Sequence, residues 1–162
     1  MTALDLMISL EHMPLPLAIA SSAWLFPIIE TLHVLAFSIV VGSIAMLDMR
    51  LLGLGFTGRS ISDLMRSVLP WTLSAFAAAA SCGLLLFSSK ASTYYPNLPF
   101  RIKMLCLALA GTNMLAFHLV NARDIKAWDG GVPPLRVRAT GAVSLSLWVA
   151  IVAAGRWIGF TT

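Results

Sequence analysis

The chain has 162 residues, of which 59% are hydrophobic and only 11% are charged. Soluble globular domains carry about a quarter charged residues, so this composition excludes that class and indicates an integral membrane protein whose main partner is the lipid bilayer. The formal net charge is +4, but the basic residues flank apolar runs instead of forming a stripe, so we expect no nucleic-acid partner.

The N-terminal segment, before the first long apolar run, differs from a signal peptide. It has no basic n-region, and Asp5, Glu11, Pro14 and Pro16 interrupt the stretch where an apolar h-region would lie. Apolar residues alternate with polar ones from residue 4 to residue 11. We therefore predict a retained, short N-terminal helix that lies in the membrane interface.

Four long apolar runs follow, and each predicts a membrane-spanning helix, because about 20 apolar residues cross a bilayer core of about 30 Å. None shows the short apolar/polar alternation of an outer-membrane barrel. The predicted fold is all-α, an integral membrane four-helix bundle in a single domain over residues 1–162. The predicted spans cover residues 22–48, 68–89, 99–122 and 138–160.

Basic residues are distributed unequally between the two ends of the spans. Seven lie on the side of the loops after the first and third spans, and four lie on the other side. By the positive-inside rule, we predict a bacterial inner-membrane protein with both termini in the periplasm. The seven are Arg50, Arg59, Arg66, Arg123, Lys126, Arg136 and Arg138, and the four are Lys90, Arg101, Lys103 and Arg156. Trp24 and Trp157 are predicted at the outer interface, and Trp71 and Trp128 at the inner one.

Three ionisable residues within the spans are candidate functional residues. Glu30 and His33 are one helical turn apart in the first span, and His118 lies in the third. Six residues of the first span share one helical face, which we expect to look into the bundle: Glu30, His33, Phe37, Val41, Ile44 and Asp48. An ionisable group inside a membrane is costly, so it indicates a function by default. The residues permit haem ligation, a proton relay, another metal such as copper, or structural hydrogen bonding. Scattered methionines without a Met-x-x-Met cluster weaken the copper alternative.

Haem b needs one or two axial ligands in a slot between helices and no covalent attachment motif. His33 and His118 are the predicted ligands of a haem iron. Counting from the span midpoints places them about 15 Å apart along the membrane normal. We therefore favour a single haem with an unusual second ligand or an open position. There are two alternatives. Helix tilt could bring both histidines to one iron, or two haems could lie near opposite leaflets.

Other residues are predicted to line the cofactor slot. Gly111, two turns before His118, leaves space beside a planar group, and Met114 is a candidate second ligand on the same face. Trp148 lies near the middle of the fourth span, where its ring could border the slot.

Two charged residues lie at a similar depth on the outer side. Glu30 in the first span and Arg156 in the fourth are predicted to form an ion pair or a shared polar cluster, and Arg156 would suit a haem propionate. Glu30 is also predicted to belong to the cofactor site, as a neighbour of a propionate, as a proton acceptor coupled to reduction, or as the partner that fixes the tautomer of His33. Snorkelling of Arg156 to the headgroups is the alternative.

Small residues recur along the second span. Ala75, Ala79 and Gly83 form a small-xxx-small pattern, which allows close packing of helices. The pattern favours packing within the bundle, and it also leaves room for a flat cofactor and permits a homo-oligomer.

Three sequence motifs distinguish this chain. The string from Phe26 to Gly55 contains Glu-x-x-His (Glu30, His33) and Asp-x-Arg-Leu-Leu-Gly (Asp48 to Gly53). The string from Asn113 to Ala122 contains Phe-His (Phe117, His118). In these motifs the chain resembles a bacterial family of small four-span membrane proteins of unknown function, domain of unknown function 6644. The resemblance covers nearly the whole chain and implies the four-span topology, but it implies no activity. More loosely, the chain is similar to b-type cytochrome bundles and to the copper-resistance D membrane proteins.

Two functions are consistent with these residues. One is a b-type cytochrome-like protein that exchanges electrons with quinol or with a membrane or periplasmic redox partner. The other is a non-redox accessory subunit or a small proton- or ion-handling protein that uses Glu30 and His33. The sequence contains no recognisable nucleophile–base pair, metal triad or phosphate loop, so it leaves enzymatic activity uncertain.

Overall fold

A computed structural model describes residues 2–55, 58–121, 125 and 131–161, and every regular element within these residues is helical. Three residues used in the topology prediction, Arg123, Lys126 and Trp128, lie outside the described residues, as does the last residue of the third predicted span. The helices are α1 (Ala3–Glu11), α2 (Pro14–Ser21), α3 (Leu25–Leu52), α4 (Ile61–Ser89), α5 (Ala91–Tyr94), α6 (Leu98–Ala116), which continues into a π-helical turn (Phe117–Asn121), and α7 (Leu135–Thr161).

Helices α3, α4, α6 and α7 are long and apolar enough to cross a membrane. The predicted all-α four-helix membrane bundle is therefore confirmed. The helix bounds differ most at the start of α4, which begins seven residues before the predicted span. Ser60 causes this extension, because its side chain accepts a hydrogen bond from the backbone N–H of Asp63 and caps the helix there.

The N-terminal segment forms two helices where a single one was predicted. Thr2 and Asp5 form a capping box that starts α1, and α2 starts at Pro14 after a bend of 70°. Proline lacks the backbone N–H needed to continue α1, but it is well suited to the first turn of a new helix. Helix α2 packs on α3 and α4 and buries Ile19, so this segment is part of the fold.

The bundle is held together by three helix pairs: α3 packs with α4, α6 packs with α7, and α3 packs against α7. An apolar belt crosses the middle of the bundle, and its buried members are Val40, Ala75, Ala110, Trp148 and Ile151. The belt separates the two ends of the bundle interior.

Helix α1 and the end of α7 lie at one end of the bundle, here called the terminal end. The Glu11 carboxylate accepts hydrogen bonds from the backbone N–H and the hydroxyl of Ser92, which ties α1 to α5. The Asn97 amide donates to the Thr161 hydroxyl at 2.9 Å and so joins the end of α7 to the start of α6. The opposite end, here called the loop end, is closed by a second apolar cluster of Leu51, Ile61, Phe117 and Val137.

Candidate functional site

His33 packs closely against the small residues of α4. Its Nδ1–H donates to the Ala79 carbonyl oxygen at 2.7 Å, and its ring stacks on Phe37 with the centroids 6.0 Å apart. A Cβ at Gly83 would lie only 3.1 Å from Cε1 of His33. Ala75 and Ala79 are buried. The small-residue pattern of α4 therefore serves packing within the bundle and makes room for the imidazole.

The hydrogen bonds of the two span histidines select the same ring tautomer. Nδ1 of His118 donates to the Met114 carbonyl oxygen at 2.9 Å, as Nδ1 of His33 does to Ala79. A backbone carbonyl only accepts, so Nδ1 carries the proton and the neutral ring keeps a lone pair on Nε2. This arrangement suits a proton acceptor, and it also resembles the orientation of metal-ligating histidines.

Lys103 is a residue of this site that the sequence analysis did not select. Its Nζ lies 5.3 Å from the centroid of the Phe37 ring, and its side chain also lies beside Gly155 of α7. His33 stacks on the same Phe37 ring, and Glu30 lies one helical turn before His33 on α3. We call Glu30, His33 and Lys103 the terminal-end cluster. Its position in the sequence could have identified it, because Lys103 lies five residues inside α6, whereas charges that flank a span lie at its ends.

Glu30 is exposed, contrary to the expectation that its helix face looks into the bundle. The reason is that α3 begins at Leu25, so Glu30 lies about 8 Å from the end of the helix, at the rim of the bundle. Glu30 also faces Tyr94 in α5, outside the spans. Burial raises the pKa of the Tyr94 hydroxyl, and the negative charge of Glu30 raises it further.

Arg156 is exposed, and its guanidinium carbon lies 4.9 Å from the centroid of the Phe160 ring one turn further along α7. In the part of the chain that the structure describes, no ion pair joins Arg156 to Glu30. The predicted pairing is therefore not found in this structure, and the cation–π contact accounts for the position of Arg156.

Four of the predicted slot residues line one cavity between the apolar belt and the loop end. They are Gly111, Met114, His118 and Trp148, and the cavity has a volume of about 270 Å³. The remaining three, Glu30, His33 and Arg156, do not line it. Trp148 connects the two regions, since its ring packs on Phe37 with the centroids 5.9 Å apart.

Asp48 is the ionisable group that the sequence analysis placed on the inward face of the first span without assigning it a role. Its side chain lines the cavity, is 3% exposed and has Ser144 of α7 as a polar neighbour. Its Oδ2 atom has no hydrogen-bond partner among the described residues. Arg50 also lines the cavity and donates from Nε to the Arg59 carbonyl oxygen at 3.0 Å.

The two histidines lie near opposite ends of the bundle. Phe117, the neighbour of His118, clusters with Leu51, which is 18 residues after His33 on α3 and therefore about 27 Å along the helix axis. This separation excludes both rings as ligands of a single iron in this packing. The described residues also contain no group of three or more His, Cys, Asp or Glu side chains placed to hold a metal ion.

Comparison with known proteins gives a family. No curated protein and no solved structure matches the chain. A family model described as a family of unknown function, DUF6644, matches residues 25–161. The match includes all four spans, the terminal-end cluster and the cavity. The chain therefore belongs to the DUF6644 family, whose function is unknown.

Proposed function

We propose that this membrane protein handles protons, with the terminal-end cluster as its proton-exchange site. The observation that carries the proposal is the setting of His33. Its Nδ1–H is bonded to the Ala79 carbonyl oxygen, which leaves Nε2 to accept a proton. Glu30 lies one helical turn away on α3, and Lys103 lies over the Phe37 ring that stacks on His33. Histidine is the side chain whose ordinary proton affinity suits such exchange near neutral pH.

Each charged residue has a distinct role in this proposal. Glu30, exposed at the rim, collects protons from the aqueous side, and His33 receives them one helical turn further in. Repulsion between the charges of His33 and Lys103 couples their protonation in a poorly solvated interior. The apolar belt blocks passage beyond Phe37 and Trp148, so transport requires a second conformation in which the belt opens.

A flux measurement tests the proposal. The purified protein is reconstituted in liposomes with an internal pH-sensitive dye, and a potassium diffusion potential drives proton movement. We expect movement above that of protein-free liposomes and its loss in His33→Gln. His12→Gln is the matched control, because His12 also donates from Nδ1 to a backbone carbonyl oxygen but lies exposed at the end of α1. Equal rates for His33→Gln and wild type, or no movement in the wild type, would contradict the proposal.

A b-type cytochrome that exchanges electrons with quinol or a redox partner is the second candidate. The tautomer of both histidines favours it, since Nε2 is left for an iron. His118 borders the cavity, but about 270 Å³ is below the range of about 300–1,000 Å³ usual for small-ligand pockets. A porphyrin is larger than the cavity in this packing, so haem binding requires the helices around the cavity to stand further apart.

A visible spectrum decides this second candidate. Protein purified from cells supplied with a haem precursor is recorded as a dithionite-reduced minus oxidised difference. A sharp α-band that is weakened by His118→Gln or His33→Gln and retained in His12→Gln supports haem b. A colourless protein that remains folded overturns this candidate and leaves the flux experiment unaffected.

A further inference from the structure

The cavity opens sideways, towards the surroundings of the bundle. Three of its lining side chains, Leu73 and Phe76 on α4 and Met114 on α6, are 52%, 45% and 44% exposed. The packed pairs α3–α4, α6–α7 and α3–α7 leave α4 and α6 on the two sides of a slit. In a membrane this slit faces hydrocarbon, so a lipophilic molecule reaches the cavity from the bilayer.

The cavity contains two hydrogen-bond acceptors that the described residues leave unused. One is Oδ2 of Asp48, which is buried and has no partner. The other is Nε2 of His118, because the ring proton is on Nδ1 and donates to Met114. Oδ2 of Asp48 is buried, and a buried polar atom without a partner is costly, so a molecule that brings a donor to it is stabilised in the cavity. His118 is partly exposed and offers the second acceptor.

The other lining residues restrict the chemistry of that molecule. Aromatic rings of Phe76, Phe117 and Trp148 border the cavity, which favours a flat aromatic group. The guanidinium side chain of Arg50 lines the same cavity and is 2% exposed. Its positive charge opposes a cationic amine, so neutral hydroxyl groups are the better donors.

We infer that the cavity binds a lipophilic hydroquinone, with one hydroxyl donating to Asp48 and the other to His118. The ring occupies the cavity, and the hydrocarbon tail leaves between Leu73 and Met114 into the bilayer. This inference concerns binding at the loop-end half and does not depend on proton exchange at His33. Its test is an equilibrium measurement, so its failure is distinct from failure of the flux experiment.

The experiment is isothermal titration of the full chain in phosphatidylcholine nanodiscs. The probe is decylhydroquinone, and its dimethyl ether is the control ligand, because the ether has the same ring and tail but no donors. Empty nanodiscs give the background from partition into lipid. We expect saturable binding of the hydroquinone and none of the ether. Equal binding of the two ligands, or saturable binding of decylamine alone, would overturn the inference.

Variants link the binding to the cavity. Asp48→Asn is expected to weaken binding about tenfold, because an amide NH2, which cannot accept a hydrogen bond, replaces Oδ2, whereas Asp63→Asn in the first turn of α4 keeps the wild-type affinity. A second variant leaves the Asp48 carboxyl unchanged. Gly111 lines the cavity and a Cβ there would meet no atom within 4 Å, so we expect Gly111→Leu to fold and to fill part of the cavity.

The matched control for that variant is Gly42→Leu, which also has open space at Cβ but does not line the cavity. Binding lost in Gly111→Leu and retained in Gly42→Leu supports the inference. Undiminished binding in both Gly111→Leu and Asp48→Asn would place the ligand elsewhere and refute it.

Discussion

At the scale of single residues, the placement of His33 depends on a residue with no side chain. A Cβ at Gly83 would lie 3.1 Å from the imidazole, which is closer than an ordinary contact, and the ring is fixed on its other sides by the Ala79 carbonyl oxygen and the Phe37 ring. A side chain at position 83 would therefore push the His33 ring against a hydrogen bond and a stacking contact.

Replacement of Gly83 by alanine is expected to destabilise the fold by about 1 kcal/mol, because overpacking must displace the His33 ring. Gly42→Ala is the matched control. Its new Cβ meets nothing within 4 Å, and alanine in a helix is favoured over glycine by about 0.5–1 kcal/mol. Thermal unfolding in detergent, followed by circular dichroism, should shift in opposite directions for the two variants. Equal shifts would contradict the packing of His33 against Gly83.

At the scale of elements, hydrogen bonds donated by side chains join neighbouring helices. The hydroxyl of Thr72 on α4 donates to the hydroxyl of Ser43 on α3 at 2.8 Å, and Asn113 on α6 donates to the Thr140 carbonyl oxygen on α7 at 3.1 Å. These bonds lie near the cavity, since Thr72, Asn113 and Thr140 line it. They hold the two helix pairs that form its walls.

A double-mutant cycle with Ser43→Ala and Thr72→Val should give a coupling free energy of about 0.5–1.5 kcal/mol, the range found for hydrogen bonds between membrane helices. Reversible unfolding in bicelles provides the measurement. Ser81→Ala replaces Thr72→Val in the control cycle, because the Ser81 hydroxyl donates to Ala77 within its own helix. Additive effects in both cycles would show that the Ser43–Thr72 bond contributes nothing to stability.

Helix α1 carries a pH-dependent cap. The backbone N–H of Thr2 donates to the Asp5 carboxylate at 2.7 Å, and this bond, followed by the Thr2 side chain, lowers the pKa of Asp5. A group with a lowered folded-state pKa stabilises the fold fully above its ordinary pKa of about 4, and this stabilisation is lost as pH falls through the lowered value.

We therefore expect Asp5→Ala to reduce hydrogen-exchange protection of the α1 amides at neutral pH but not at acid pH below the lowered value, where wild-type Asp5 is protonated. The amides of α2, which starts at Pro14 without a side-chain cap, are the internal control. A loss of protection that is the same at both pH values would exclude a role for the ionised carboxylate.

At the scale of the whole molecule, hydropathy and helix length were sufficient to predict the fold, because a bilayer imposes a length and an apolar surface on every span. The candidate site was predictable only in part. Gly111, Met114, His118 and Trp148 line one cavity as expected for one slot, since helical spacing places the first three on one face of the third span.

The depth of each side chain was less predictable. Glu30 lies at the rim because α3 begins at Leu25, and the Lys103 side chain lies beside Phe37 of α3 and Gly155 of α7. The observed start of a helix and the contacts between helices determine these positions, and neither can be read from the spacing of residues along one helix. Asp48 shows the same limit. Residue spacing placed it on an inward face, but the absence of a hydrogen-bond partner for its Oδ2 atom among the described residues depends on the neighbouring helices.

The orientation of the bundle is still a prediction, and the structure sharpens its basis. Lys103 at the terminal end and Arg50 at the loop end both lie inside the protein, so neither acts as a flanking charge. Of the eleven basic residues, six then flank the loop end and three flank the terminal end. The positive-inside rule places the loop end in the cytoplasm, with both termini outside.

Labelling of single cysteines tests this orientation. In a background with Cys82→Ala and Cys106→Ala, Tyr95→Cys lies at the terminal end and Gly58→Cys at the loop end, and both positions are exposed. A maleimide that cannot cross membranes should label Tyr95→Cys in cells with a permeabilised outer membrane, whereas Gly58→Cys should react only after the inner membrane is broken. Reaction of both in detergent is the control for reactivity. The reverse pattern would place the termini in the cytoplasm, and Glu30 would then take up protons from the cytoplasmic side.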